Sequence, residues 1–314
     1  MQMKLFKKIA TLREQLNSCV LGQEHLVEYA LIGLFTQGHI LLQSVPGLAK
    51  TTLAKSLAKS LHLSFKRIQF TPDLIPSDIL GAQIYNPKTQ NFQTRFGAIF
   101  TNILLADEIN RAPAKVQSAL LEAMGEQQVS IGEECYLLHS PFLVIATANP
   151  IESEGVYALP EAQLDRFMLG LELEYPNAQS EVKILQNAHL AKEPLAIMDS
   201  HDLEMIKKRI EQIYTEPSLQ EYIISLVRAT RENFVYKNIS CLRLGLSPRA
   251  SIDMQRAARA YAFLQNRDYL TPSDILEVLP IIASHRILLS FEALSEGITP
   301  KEILNELTLR IKIP

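Results

Sequence analysis

Lys50 and Thr51 close a segment whose residue types suit phosphate chemistry. The apolar run His39-Ile-Leu-Leu42 leads into Gln43-Ser-Val-Pro-Gly-Leu-Ala-Lys-Thr-Thr52, and Leu53, Leu57 and Leu61 then recur at helical spacing. Strand, tight loop, Lys-Thr and helix form the context in which backbone N–H groups and a helix N-terminus cradle phosphate. Lys50 would neutralise phosphate charge, and Thr51 would offer its hydroxyl to Mg2+. The strict pattern GxxxxGK[ST] has glycine where this chain carries Ser44 and Ala49. A Cβ there costs little at negative φ and about 1–2 kcal/mol in the left-handed region. An ordinary turn leading into a helix is the plainer reading of the same letters.

A second candidate lies at the end of Ile103-Leu-Leu-Ala-Asp-Glu108, an apolar run closing on two adjacent carboxylates. Acids at the C-terminal end of a strand face the crevice where α/β proteins bind ligands. In a nucleotide site Asp107 would hold Mg2+, directly or through water, and Glu108 would orient and polarise the attacking water. The plainer reading is a solvated pair capping the helix near Asn110. Phe142-Leu-Val-Ile-Ala-Thr-Ala-Asn149 ends in an amide that could bond a γ-phosphate or a water, although Asn-Pro also starts turns. Arg166 could act as an arginine finger across a subunit boundary, or form a surface pair with Asp165. Ser247 and Pro248 are helix-start signals, and they place Arg249 in a first turn, where a cation opposes the helix dipole and invites an anionic partner.

The elements needed to position these residues are visible in the patterning. Ile40 to Leu42, Lys66 to Phe70, Ile103 to Ala106 and Phe142 to Ala148 are short apolar runs alternating with helical stretches, the signature of a parallel sheet flanked by helices. Ile9 to Leu16 reads as part of an amphipathic helix. From about Asn177 the spacing is helical, as in Ile206, Ile210 and Ile213, then Tyr222 to Val227, Ile252 to Phe263, and the core stripe Ile275, Leu276, Leu279 and Ile282. The expected organisation is an α/β nucleotide-binding domain over 1–175 and an all-helical domain over 176–314, with the junction at Glu174-Tyr-Pro-Asn-Ala178. Two excursions interrupt the first domain: Pro72 to Phe100, rich in Pro, Gly and aromatics, and Val129 to Leu138, a hairpin pattern around Gly-Glu-Glu.

Composition narrows the classes. The 314 residues carry 31 Lys+Arg against 34 Asp+Glu and are 47% hydrophobic, which fits a folded two-domain protein and gives no general support for nucleic-acid or anionic-membrane binding. Cys19, Cys135 and Cys241 are widely spaced and fit neither a disulfide framework nor a zinc site, so a reducing, cytoplasmic setting is expected. No window reaches the roughly 18 apolar residues of a membrane span. His285-Arg286 reads as a surface or packing element rather than a metal ligand.

Taken together these residues resemble the MoxR group of AAA+ ATPases over nearly the whole chain. The motifs that carry the resemblance are Leu21-Gly-Gln23, Val45-Pro-Gly-Leu-Ala-Lys-Thr51, Leu105-Ala-Asp-Glu-Ile-Asn-Arg-Ala-Pro113, Gln117-Ser-Ala-Leu-Leu-Glu-Ala-Met124, Ile145-Ala-Thr-Ala-Asn-Pro150, Leu159-Pro-Glu-Ala-Gln-Leu-Asp-Arg-Phe167 and Ser247-Pro-Arg-Ala250. The resemblance implies an AAA+ P-loop core with a helix-2 insert and a pre-sensor-1 hairpin, followed by a helical lid. It implies ATP and Mg2+ as cofactors. Gln23, Ser44, Val45, Pro46, Gly47, Leu48, Ala49, Lys50, Thr51 and Thr52 would then form the nucleotide site, with Thr51 and Asp107 on the metal. Glu108 of Walker B, Asn149 of sensor 1, the Arg166 finger and Arg249 of sensor 2 would be catalytic. The chain departs from the family at Ser44, where glycine generally precedes Val-Pro-Gly, whereas Ala49 is usual. The family further implies a ring, usually hexameric, and a chaperone-like remodelling role in maturation or metal insertion, often with a von Willebrand factor A domain protein. Three alternatives remain open at this point: a nucleotide-gated scaffold with little turnover, a magnesium-chelatase-like subunit, and a nucleic-acid motor.

Overall fold

The computed structural model describes residues 2–44, 47–149, 155–187, 194–232 and 234–314. It begins with α1 (Gln2–Cys19) and α2 (Glu24–Thr36). Leu5, Ile9, Leu12 and Leu16 recur on one side of α1 and are all buried, as an amphipathic stripe requires. The chain then runs through β1 (Ile40–Ser44), α3 (Lys50–Ser60), β2 (Phe65–Gln69), α4 (Pro76–Leu80), and the antiparallel pair β3 (Gly81–Asn86) and β4 (Asn91–Phe96). There follow β5 (Ile103–Asp107), α5 (Ala114–Glu126), the antiparallel pair β6 (Gln128–Ile131) and β7 (Glu134–Leu137), β8 (Leu143–Ala148), α6 (Glu161–Leu164), β9 (Leu169–Leu173) and α7 (Ala178–Asn187).

The central sheet has the order β2-β5-β8-β1-β9, and its β2–β5, β5–β8 and β8–β1 pairings are parallel. Every residue of β5 is buried, which is why Ile103-Leu-Leu-Ala reads as an unbroken apolar run. β1 and β5 run two residues and one residue past their apolar runs, β2 is shifted back by one residue, β8 starts one residue late, and β9 joins them with its run broken by Gly170 and Glu172. Buried His39 fastens the start of β1: its Nδ1 accepts from the Val144 N–H at 3.1 Å and its Nε2 lies 3.3 Å from the Met124 carbonyl, so one neutral tautomer ties the strand to β8 and α5.

Both expected excursions are hairpins, with α4 ahead of the first. They pack on each other through Phe96 and Tyr136, whose rings meet edge to face at 5.0 Å, and through Thr94 and the Tyr136 hydroxyl at 3.1 Å.

The chain separates into two compact units, Met1–Arg166 with Leu171–Leu203, and Phe167–Gly170 with Glu204–Pro314. The second begins within α8 (Ser200–Glu211) and continues through α9 (Pro217–Ala229), β10 (Val235–Tyr236), β11 (Ile239–Ser240), β12 (Leu242–Leu244) and α10 (Pro248–Leu264). It ends with α11 (Pro272–Ala283), β13 (Leu288–Leu289), α12 (Phe291–Ser295) and α13 (Pro300–Arg310). Helices dominate it, with two short antiparallel pairs, β10–β11 and β12–β13, in addition. No helix among the described residues is long and apolar enough to cross a membrane.

His285 and Arg286 are buried rather than on the surface. Arg286 pairs with Asp253 of α10 at 2.6 Å, and both Arg286 and His285 lie 2.9 Å from the Phe167 carbonyl oxygen. A carbonyl only accepts, so the His285 ring carries its proton on Nε2. The ring packs so closely on Gly170 that a Cβ there would lie 2.3 Å from Nδ1. Burial, reinforced by the Arg286 charge and partly offset by the Phe167 hydrogen bond, pushes the His285 pKa down from 6.5 to about 3.

The unfolded chain therefore takes up a proton at His285 between about pH 6.5 and about pH 3 that the folded chain refuses. Stability should be independent of this group above pH 6.5 and fall below it, by at most about 1.4 kcal/mol per pH unit. His285→Gln keeps an N–H donor and should remove that component. Urea midpoints of both proteins between pH 7 and pH 4 would check it, and parallel curves would refute it.

Candidate functional site

The C-terminal edge of the sheet gathers the residues singled out for phosphate chemistry. Ser44 ends β1, Asp107 ends β5 and Asn149 follows β8. The register pairs Gln43 with Ala148 and Ala106 with Ala146, so Ser44 is level with Asn149, and Asp107 with Thr147. Ligands of open α/β sheets bind at this edge.

The loop between β1 and α3 folds back at Gly47, whose φ of +89° suits glycine. Val45 and Pro46 lie outside the described residues. Leu48 is buried, and Ala49 caps α3 with φ 53° and ψ 17°, its carbonyl accepting from the Leu53 N–H at 2.9 Å. Ala49 thus stands in the left-handed region, at a cost of about 1–2 kcal/mol relative to glycine. Ser44 is in extended strand and bears no such cost. Its buried hydroxyl accepts from Lys50 Nζ at 2.8 Å. Lys50, Thr51 and Thr52 open α3, with Lys50 and Thr51 half-buried and Thr52 exposed. Burial lowers the Lys50 pKa, Asp107 and Glu108 work against that shift, and Arg67 adds to it, so these four charges share one field.

Asp107 is held from both sides. Its Oδ1 accepts from the Thr147 hydroxyl at 2.7 Å, and its Oδ2 accepts from Arg67 Nε at 3.0 Å and Nη2 at 2.7 Å. The same Thr147 hydroxyl accepts from the Glu108 N–H at 2.8 Å, fixing the left-handed turn (φ 56°, ψ 52°) that redirects the chain after β5. Glu108 Oε2 accepts from Gln69 Nε2 at 2.6 Å and pairs with Arg111 at 3.1 Å. Glu108 does precede a short helical turn, Ile109–Arg111, but makes no side-chain cap there. The Thr51 hydroxyl and the Asp107 carboxylate are hard oxygen donors that suit Mg2+. No cluster of three or more His, Cys, Asp or Glu side chains among the described residues could hold a metal alone, so water and phosphate oxygens would complete the shell.

The remaining expected site residues sit in settings of their own. Gln23 precedes α2 and donates to the Glu174 carbonyl at 2.9 Å. Arg166 donates to the Leu121 carbonyl of α5 at 2.7 Å, where Gly125 leaves room for its guanidinium. Buried Asn149 accepts through its carbonyl from Asn110 at 3.5 Å. Arg249 is the second residue of α10 in the other unit, whose N-cap Ser247 accepts from the Ala250 N–H at 3.4 Å. Sequence reasoning passed over Arg67, Gln69, Arg111 and Thr147. The available signal was Arg67 and Gln69 two apart, on one face of an edge strand that precedes the acidic one.

Comparisons with known proteins bear on the family and the fold. Residues 39–169 match the ATPase family associated with various cellular activities (AAA), and residues 238–307 match the AAA lid domain. Chaperone MoxR1 of Mycobacterium tuberculosis is 43% identical over 299 residues, covering 94% of this chain and 79% of that protein. The YeaC protein of Bacillus subtilis is 42% identical over 304 residues, covering 96% and 93%. A crystal structure from Cytophaga hutchinsonii, described provisionally as an ATPase, superposes with a TM-score of 0.92 at 44% identity and covers 99% of this chain and 96% of its own.

Thr147→Val keeps the shape but strands the Asp107 Oδ1 atom and the Glu108 N–H, and should cost about 1–3 kcal/mol in urea unfolding. Thr147→Ser keeps the hydroxyl and should lose only about 1 kcal/mol, for one methyl. Equal losses would show that the hydroxyl is not what holds the turn.

Proposed function

The chain belongs to the MoxR family of AAA+ ATPases and is an ATP hydrolase, and from that premise we propose that it binds Mg-ATP at the subunit interfaces of a hexameric ring and uses the cycle to remodel partner proteins. The observation that carries this reading is the placement of Lys50, Asp107 and Glu108 at one sheet edge, where both carboxylates act on the lysine.

In this reading the loop from Ser44 to Thr52 is Walker A, and Gln23 contributes from the start of α2. Lys50 turns from Ser44 towards the β- and γ-phosphates. Thr51 and Asp107 would hold Mg2+ together with phosphate oxygens, and the ion when bound supplies neutralisation of charge developing on the transferred group. Glu108 orients the attacking water and accepts its proton, for which it must leave Gln69 and Arg111. Asn149, level with Ser44, is placed to bond the γ-phosphate or that water. Arg166 would serve a neighbouring subunit's site, and Arg249 would answer the nucleotide from the lid, which we take to begin near residue 176. The hairpins β3–β4 and β6–β7 would face the client. Maturation of a partner, including metal insertion, and a von Willebrand factor A domain protein as that partner are consistent with the family. We place the protein in the cytoplasm.

A second reading is a scaffold that binds ATP and turns over little until its partner arrives. The engagement of Lys50 by Ser44 favours it.

Steady-state hydrolysis and nucleotide binding of wild type, Lys50→Ala and Glu108→Gln, with light scattering with and without nucleotide, test both. Lys50→Ala should abolish binding. Glu108→Gln should retain binding and lower kcat by about 100-fold or more, with ATP favouring the ring. Unchanged affinity in Lys50→Ala would overturn the site. Binding without turnover in wild type, relieved by Ser44→Gly, would select the scaffold.

A further inference from the structure

We propose that Arg67 is a built-in cation that competes with the divalent metal for Asp107, so that metal enters only together with nucleotide. The inference rests on the reading of Asp107 as a metal ligand.

A carboxylate offers about four acceptor positions, two on each oxygen. On Asp107 three are filled: both on Oδ2 by Arg67 Nε and Nη2, at 3.0 and 2.7 Å, and one on Oδ1 by Thr147. A metal binding at Oδ2 must therefore move the guanidinium, and one at the open position on Oδ1 would face its charge across the same carboxylate, whereas Thr147 can stay. The two partners differ in freedom. The Asp107 side chain is 11% exposed and pinned by Thr147, while that of Arg67 is 50% exposed on the edge strand β2, so the arginine can leave and the carboxylate cannot. Guanidinium stays charged at any working pH, and departure does not remove its charge from the site.

The charges explain why departure needs nucleotide. Lys50, Arg67 and Arg111 stand against two anions, Asp107 and Glu108, so the group already holds one cation more than it has anions. A divalent cation arriving alone adds to that excess and meets a carboxylate already paired. A nucleotide arriving with it brings anionic oxygens that Lys50 and Arg67 can face, which frees Oδ2 for the metal. The release reaches further, because Arg67 Nη2 also lies 3.4 Å from Gln69 Oε1, and Gln69 in turn donates to Glu108. Arg67 is accordingly a positioning residue, acting through Asp107.

A merely structural brace between β2 and β5 would, on removal, weaken every ligand alike. Competition predicts opposite signs. In the full-length chain, binding of Mn2+ without nucleotide, read from the electron paramagnetic signal of the free ion, should tighten about fivefold or more in Arg67→Gln. Binding of a fluorescent ADP analogue in EDTA should weaken by a similar factor, about fivefold, because one cation facing the phosphates is lost. Arg67→Lys keeps the charge without the two-pronged hold, and should bind metal-free ADP as wild type does while Mn2+ affinity rises part-way. Asp107→Asn must weaken Mn2+. If it does not, the metal reading of Asp107 falls and this proposal with it. If Asp107→Asn weakens Mn2+ while Arg67→Gln leaves it unchanged or weaker, the competition alone is overturned.

Discussion

The parallel register between β5 and β8 is the constraint on which the site depends. Because Ala106 pairs with Ala146, Thr147 falls level with Asp107, and a single hydroxyl bonds the carboxylate of one residue and the backbone N–H of the next. That N–H belongs to Glu108, in a left-handed conformation that a non-glycine residue adopts at some cost. A slip of one residue would turn Asp107 into the opposite face and release the turn. The buried apolar side chains of β5 and β8 exclude such a slip, so the packing of Ile103 to Ala106 determines where two carboxylates stand.

Around those carboxylates the charged groups have partners within the chain. Lys50 donates to Ser44, Asp107 accepts from Arg67, and Glu108 accepts from Gln69 and Arg111. Charges half removed from water have to be paired, and here the protein supplies the partners itself. In the proposed site, nucleotide binding would be an exchange of partners, with affinity set by the difference between the two sets.

The second unit uses a buried ion pair in a different way. Asp253 and Arg286 are both buried, and the arginine reaches the Phe167 carbonyl together with His285. Phe167 directly follows Arg166 in the chain. The residue after the proposed finger is thus held by hydrogen bonds of the helical unit, with Gly170 providing the clearance for the histidine ring.

Much of the fold was legible in the residues alone. Unbroken apolar runs marked β1, β5 and β8, because strands covered on both faces need apolar residues at every position, and Ser247-Pro248 marked the start of α10. Lys50, Asp107 and Glu108 could be singled out because strand ends and a Lys-Thr helix start leave a local pattern. β9 was hidden by Gly170 and Glu172, and His285 and Arg286 carried no local sign of burial. Whether Ala49 or Ser44 would strain the loop depended on φ, which letters do not carry, and the structure places the strain at Ala49. Arg67, Gln69 and Thr147 became visible only through strand order and register, since cross-strand partners 39 or 40 residues apart obey no sequence period. Sequence determines which strands are buried and what their ends carry; tertiary pairing decides which side chain meets which, because those contacts exist only once distant strands lie side by side.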